Sequence, residues 1–182
     1  YTSWDRVILK TQGGAAALAI YSTAFAFIAI GQLAATSFWN VMMPKIIKSG
    51  RKSMPKEEFV VGLFLGILTT FFYIIFAELF FSLIFRSEYL EAKKILVIVS
   101  FYFVFRFVNV LLEAYILSAD RYVFFMRFRV LIAVISIVGN YIFSADFGAE
   151  ATAAIFASSE AILFACLFFF SRKILEKKQM PY

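Results

Sequence analysis

The chain contains apolar runs that are too long for a water-soluble domain. The clearest is residues 59–85, FVVGLFLGILTTFFYIIFAELFFSLIF, in which Glu78 is the only charged residue. A helix needs about 20 apolar residues to cross the hydrocarbon core of a bilayer. A backbone in lipid must satisfy its own polar groups, as helices or as a closed barrel. Barrel strands alternate polar and apolar residues, and this run does not alternate, so it predicts a membrane-spanning α-helix.

Composition narrows the class of protein further. The chain is 63% hydrophobic, with 25 Phe in 182 residues, more apolar surface than a soluble domain of this size could bury. It has no His, which excludes imidazole acid–base and metal chemistry, and one Cys, Cys166, inside an apolar run. The net charge of +6 is interpreted as membrane topology and contact with anionic lipids, not nucleic acid. We expect a membrane protein that is not an enzyme and needs no cofactor or metal.

The apolar runs divide into an antiparallel bundle of five full helices. Residues 1–13 resemble the end of a further helix, followed by a turn at Gly13-Gly14. Because the chain begins with Tyr1 and shows no signal peptide, we expect it to be a fragment of a longer protein. The predicted helices are 16–43, 59–85, 95–119, 124–143 and 149–171.

The connections between these helices alternate in charge. Those near 45–58 and 120–129, together with the C-terminal tail, carry twelve basic residues, against three in the connections near 86–94 and 144–150. Cytoplasmic loops are enriched in Lys and Arg. The pattern therefore predicts that the first group and the C-terminus are cytoplasmic and that the second group faces outward.

One predicted helix carries a polar stripe. The stretch 101–119, FYFVFRFVNVLLEAYILSA, places Arg106, Asn109 and Glu113 on one helical face. Arg106 lies ~16 Å from the outer end of its helix, where a charge in lipid costs at least ~2.5 kcal/mol. It should therefore face protein or a water-filled cavity. Arg106 and Glu113 are about 10 Å apart along the axis, which is long for a direct pair.

Depth suggests a partner for Arg106 on another helix. Glu160 also lies about 11 residues from the outer end of its helix, so both groups share a level and are expected to pair. Glu78 lies nearer the outer end and is expected to reach the interface. The spacing of Gly62 and Gly66 permits close approach of another helix.

These residues support a functional and a structural interpretation. In the first, they line a hydrophilic cavity and a carboxylate carries a coupling proton; in the second, an interhelical salt bridge holds the bundle together. The candidate cavity-lining residues are Arg106, Asn109, Glu113, Gln32 and Tyr21. The candidate coupling or pairing carboxylates are Glu160 and Glu113.

Ordered motifs along the chain resemble those of a known family. The segments DRVIL, LAIYSTAF, MMPKI, FRSEYLEAKKILVI and VGNYIFSADFGAEATAAIFAS resemble the C-terminal half of Wzx-type polysaccharide flippases. These belong to the multidrug/oligosaccharidyl-lipid/polysaccharide flippase superfamily. Ser87 and Glu88 stand where the family usually has a glycine. The residues that carry the resemblance are Asp5, Tyr21, Ala24, Pro44, Tyr89, Ala92, Asn140, Gly148 and Ala149.

The resemblance implies a fold and a function. The fold would be one lobe of a two-lobed, MATE-like transporter, with the N-terminal lobe of the same protein as its partner. The function would be the flipping of a polyprenyl-pyrophosphate-linked oligosaccharide across the cytoplasmic membrane by alternating access, as in O-antigen and lipopolysaccharide synthesis. A cation-coupled multidrug exporter of the same superfamily is the alternative. Cationic drugs would require an acidic cavity, whereas a pyrophosphate lipid requires a basic one.

Overall fold

The computed structural model describes residues 4–50, 54–84 and 90–177. Within these ranges the regular secondary structure is entirely α-helical, as the sequence predicted. Tyr89, Ser87 and Glu88 of the family motif lie outside the described residues. The elements are α1 (Trp4–Ser49), α2 (Lys56–Ile84), α3 (Leu90–Ser100), α4 (Tyr102–Ser118) and α5 (Tyr122–Lys177).

Both long helices bend back on themselves at a glycine. Gly14 in α1 has φ 78°, and Gly148 in α5 has φ 55°, a left-handed backbone that side chains with a Cβ rarely adopt. The two arms of α5, 122–147 and 149–177, then run antiparallel. The hydroxyl oxygens of Ser144 and Thr152 lie 2.9 Å apart, although a straight helix would separate these residues by about 12 Å.

Among the residues that the structure describes, four helices are long and apolar enough to cross a membrane, which is consistent with a multi-pass membrane protein. The candidate spans are Trp4–Ser49, Lys56–Phe81, Glu91–Ser118 and Tyr122–Ser171. The first and last contain the glycine bends. The division into five membrane helices and a sixth tail, and the place of this bundle in a two-lobed transporter, stay predictions.

The bend in α5 lies within the predicted connection 144–150, but the residues on both sides of it are helical. The connection was expected to face outward, and the bend within it is at Gly148. Ser144 is 1% exposed because it packs between the two arms. A single left-handed glycine reverses the chain, so the residues around it remain helical.

α4 is the central helix of the bundle. Every residue from Phe107 to Ile116 is buried, so this stretch is covered on all sides. α2 approaches it through the predicted glycine pair. A Cβ added at Gly66 would lie 2.5 Å from the carbonyl oxygen of Phe103, and one at Gly62 would lie 2.9 Å from Cδ1 of Leu111. The packing role of Gly62 and Gly66 is confirmed.

Two hydroxyl groups of α2 bond to the backbone of neighbouring helices. The Thr70 hydroxyl lies 2.9 Å from the carbonyl oxygen of Ser100, where α3 gives way to α4. One turn along, the Tyr73 hydroxyl accepts the amide of Gly31 at 2.9 Å and donates to the carbonyl oxygen of Phe27 at 2.7 Å. α2 thus supports the backbone of α1 and of the α3–α4 junction at one level of the bundle.

Candidate functional site

Five polar side chains from three helical segments meet in the interior of the bundle. We call them the ion cluster. α4 contributes three, one turn or two apart on one face, and each arm of α5 contributes one. The members are Arg106, Asn109, Glu113, Arg129 and Glu160.

Glu113 bonds both arginines of the cluster. Its Oε1 accepts from Nη1 of Arg106 at 3.3 Å, and the same oxygen accepts a short hydrogen bond from Nη2 of Arg129. Arg129 also lies over the ring of Phe125, with Cζ 5.4 Å from its centroid. One carboxylate thereby ties α4 to the first arm of α5.

Glu160 completes the cluster from the second arm of α5. Its Oε1 lies 3.7 Å from Nη1 of Arg106 and 3.8 Å from Nη1 of Arg129. Nδ2 of Asn109 donates to Oε2 of Glu160 at 2.5 Å and to its backbone oxygen at 3.0 Å. The depth argument therefore holds: the predicted pairing of Arg106 with Glu160 is confirmed.

The two kinds of charge in the cluster differ in exposure. The side chains of Glu113 and Glu160 are 6% and 3% exposed, while those of Arg106 and Arg129 are each 21% exposed. Two guanidinium groups balance two carboxylates, so the cluster is formally neutral. Buried ion pairs gain little over apolar packing once desolvation is counted. The arrangement therefore points to a role other than stability, and the arginine side chains are its more exposed members.

The direct contact between Arg106 and Glu113 corrects an expectation. Their separation along α4 seemed long for a pair, yet the two side chains meet at 3.3 Å. Both side chains are long, and together they span the two turns between their Cα atoms. Glu113 therefore pairs directly with Arg106 and has Arg129 as a second partner.

Two other candidates lie away from the ion cluster. Tyr21 is fully buried, and its hydroxyl lies 3.2 Å from Oδ2 of Asp5, which the bend at Gly14 brings alongside it. The prediction that Tyr21 lines a cavity is wrong for this conformation, because the folded-back arm of α1 covers it. Gln32 is half-buried on α1 and remains a candidate lining residue.

Arg129 was missed by sequence reasoning. It was counted among the basic residues near 120–129, at the start of the predicted helix 124–143, and was not considered as a site residue. The structure places it in the first arm of α5. A periodic signal was present, since Arg129, Ser136, Asn140 and Ser144 recur at helical spacing on one face. The last three are buried, and the hydroxyl oxygens of Ser136 and Ser159 lie 3.0 Å apart between the two arms.

Glu78, the remaining acidic residue considered as a partner of Arg106, lies in the C-terminal part of α2. Glu78 pairs with Lys93 of α3, and its side chain is 68% exposed. Nearby, Lys94 bonds Glu150 across 2.6 Å, next to the bend at Gly148. Exposed pairs of this kind contribute at most about 1 kcal/mol. The expectation that Glu78 reaches the surface, away from Arg106, is confirmed.

Comparison with known proteins gives one informative relative. Over 128 residues the chain is 28% identical to the capsular polysaccharide biosynthesis protein CapF of Staphylococcus aureus. The match covers 66% of this chain and 32% of CapF, so the chain spans about a third of the length of that relative. No protein-family model and no solved structure matches the chain. The similarity connects this helical, apolar chain with polysaccharide biosynthesis.

Proposed function

We propose that this chain is part of a membrane flippase for polyprenyl-diphosphate-linked oligosaccharides, working in polysaccharide biosynthesis by alternating access. The observation that carries the proposal is the arginine pair of the ion cluster. Two guanidinium groups share one buried carboxylate, Glu113, in an apolar bundle, where an isolated charge is costly. Guanidinium groups offer paired donors that match phosphate oxygens. Arg106 and Arg129 would hold the diphosphate, half-buried Gln32 would contact the oligosaccharide, and buried Asn109 would position Glu160.

The comparison supports the same process. CapF is described as a capsular polysaccharide biosynthesis protein, and lipid-linked glycans in such pathways must cross a membrane. The chain covers only part of that relative, so the complete transporter would include further helices. Its other lobe would close over the exposed side of the two arginines.

A cation-coupled multidrug exporter is the second candidate. The buried carboxylates Glu113 and Glu160 favour it, because an organic cation needs an acidic site. Each carboxylate, however, lies within 4 Å of both arginines. The net charge of the site is therefore zero and favours neither substrate, but the arginine side chains are more exposed than the carboxylates, and this favours the flippase.

A transport assay tests the proposal directly. The full-length protein is reconstituted in liposomes with a fluorescent polyprenyl diphosphate disaccharide, and a membrane-impermeant quencher reports how much lipid has changed leaflet. Wild-type protein should flip the lipid. Arg106→Lys should retain part of the rate, because charge remains while paired donors are lost, and Arg106→Ala should lose it. A normal rate for Arg106→Ala would remove this residue from the substrate site.

The proposed orientation has its own test. With the C-terminus cytoplasmic and the membrane the inner one, the Gly148 end of the bundle faces outward. In a Cys166→Ser background, a cysteine at exposed Asp146 should react with an impermeant thiol reagent only from outside. A cysteine at exposed Lys48 should react only from the cytoplasmic side. Labelling of both positions from one side would contradict the orientation.

A further inference from the structure

The ion cluster holds its arginines against internal carboxylates. Glu113 and Glu160 each approach both guanidinium groups within 4 Å. A diphosphate would need the same donors that these carboxylates use. Binding an anion at this site is therefore an exchange, in which phosphate oxygens replace carboxylate oxygens on Arg106 and Arg129.

We propose that Glu113 and Glu160 occupy the anion site in the empty transporter, and that a diphosphate displaces them with uptake of a proton by the freed carboxylates. This rests on the proposed function and adds the coupling ion to it. Diphosphate binding and protonation would then be one linked event. No covalent bond changes: the proton comes from water and resides on a carboxylate oxygen.

Burial supplies the reason for the proton. Both carboxyl groups lie in the interior, and an ionised carboxylate without a partner in an apolar environment is far less stable than its neutral form. The charged groups that face them are Arg106 from α4 and Arg129 from α5. If a diphosphate engages both arginines, the carboxylates lose the groups that keep them ionised.

Asn109 offers a place for the added proton. Its Oδ1 is buried and has no hydrogen-bond partner among the described residues, while its Nδ2 contacts Glu160. A carboxylate only accepts hydrogen bonds, whereas a carboxylic acid also donates one. A protonated Glu160 would be the donor that the amide oxygen of Asn109 lacks.

The proposal predicts the sign of a pH effect. If binding takes up one proton on a carboxylate, the affinity for diphosphate should increase up to about tenfold for each unit by which the pH falls. This increase is separate from any effect of pH on the ligand itself. The double variant Glu113→Gln/Glu160→Gln cannot take up that proton, so this gain should vanish. Its arginines are also no longer held by charged groups, so we expect it to bind diphosphate about tenfold more tightly than wild type.

Calorimetry of the full-length protein tests this. Farnesyl diphosphate is titrated into wild type and the double variant in two buffers of different ionisation enthalpy, which counts the protons taken up on binding. Any proton that the ligand itself takes up on binding is counted for both proteins, so it drops out of the difference between wild type and variant. Wild type should take up about one proton more per diphosphate than the variant. Glu78→Gln, at an exposed carboxylate outside the site, should behave as wild type.

The possible outcomes separate the two proposals. If wild type does not bind farnesyl diphosphate, the diphosphate site itself is overturned. If it binds without the additional proton, the flippase proposal stands and the exchange of carboxylate for diphosphate is wrong. Should the double variant fail to fold, Glu160→Gln alone should still lose most of the difference. Inorganic pyrophosphate as a second ligand shows whether the lipid tail is required, since the exchange predicts the same proton count for either ligand that binds.

Discussion

α2 and the span formed by α3 and α4 have the same mean hydropathy but opposite positions in the bundle. In the most apolar 18 residues of α2, 22% of the residues are buried. In the most apolar 18 residues of Glu91–Ser118, 67% are buried. α2 turns large apolar side chains such as Phe64, Phe71 and Leu79 to the surface. α4 is covered on all sides over two and a half turns and carries three members of the ion cluster.

The difference shows what hydropathy leaves open. It indicates that a segment is suited to lipid, but it does not indicate how many of its faces meet lipid. In these two spans the placement of polar and small residues decides that. The glycines of α2 form one narrow seam toward α4, and its hydroxyls bond α1 and the end of α3. Arg106, Asn109 and Glu113, by contrast, require protein or water around α4.

The largest effect is expected from breaking the ion cluster. Arg129→Ala leaves Glu113 and Glu160 with one guanidinium between them, and loss of one partner of a buried pair costs about 3–5 kcal/mol. Unfolding of the purified protein in mixed micelles measures the loss. Arg127→Ala, at an exposed position on the same arm, is the matched control and should change stability little. Equal stability of the two variants would show that the ion pairs of the cluster do not stabilise the fold.

The next effect comes from the seam between α2 and α4. Gly66→Ala would place a Cβ 2.5 Å from a backbone oxygen of α4, so one of the helices must move. We expect a loss of about 1–3 kcal/mol, measured by the same unfolding assay. Gly139→Ala is the control, because its Cβ would meet Ile155 at 3.6 Å, an ordinary contact. If Gly66→Ala is as stable as Gly139→Ala, the close approach of α2 to α4 is wrong.

A smaller effect should follow from removing a single hydroxyl. Thr70→Val keeps the shape of the side chain but loses the contact with Ser100 at the α3–α4 junction. We expect a loss of about 1 kcal/mol, with Thr69→Val as the half-buried neighbour for comparison. A loss of the same size at Thr69 would mean that the effect comes from the lower helix propensity of Val and not from the hydrogen bond at the α3–α4 junction.

The smallest effect belongs to the outward face of α2. Phe71 is 60% exposed, and Phe71→Leu should change stability by no more than about 0.5 kcal/mol. Phe103→Leu, at a fully buried ring stacked on Tyr73, should cost more. Similar costs at both positions would mean that the outer face of α2 is covered by protein.

Helix type and the level of polar groups could be predicted, because a helix rises by a constant amount per residue. This rise placed Arg106 and Glu160 at one depth before any contact was known. Side-chain reach was harder to judge, so the pair formed by Arg106 and Glu113 was misjudged. Arg129 was missed because charge near a helix end was attributed to topology, although its long side chain extends to the interior.

The two chain reversals, at Gly13-Gly14 and within 144–150, were predicted, but the contacts that they create were not. Tyr21 was assigned to a cavity because its helix was considered alone. The bend at Gly14 instead brings Asp5 against it. Ser144 was assigned to a loop for the same reason. A single glycine at positive φ reverses the helix without a loop. The periodic pattern of the flanking residues does not indicate which residues the folded-back arm will contact.

The Tyr73 hydroxyl has a consequence for how α1 can move. The amide of Gly31 and the carbonyl of Phe27, which it bridges, are the two groups that bond each other in a regular helix. If α1 opens at this turn, both groups remain bonded to the hydroxyl, and no unsatisfied backbone group is left in an apolar interior. The turn at 27–31 can therefore flex without losing hydrogen bonds. α2 carries the residue that makes this possible, so the hydrogen bonding of this turn of α1 depends on α2.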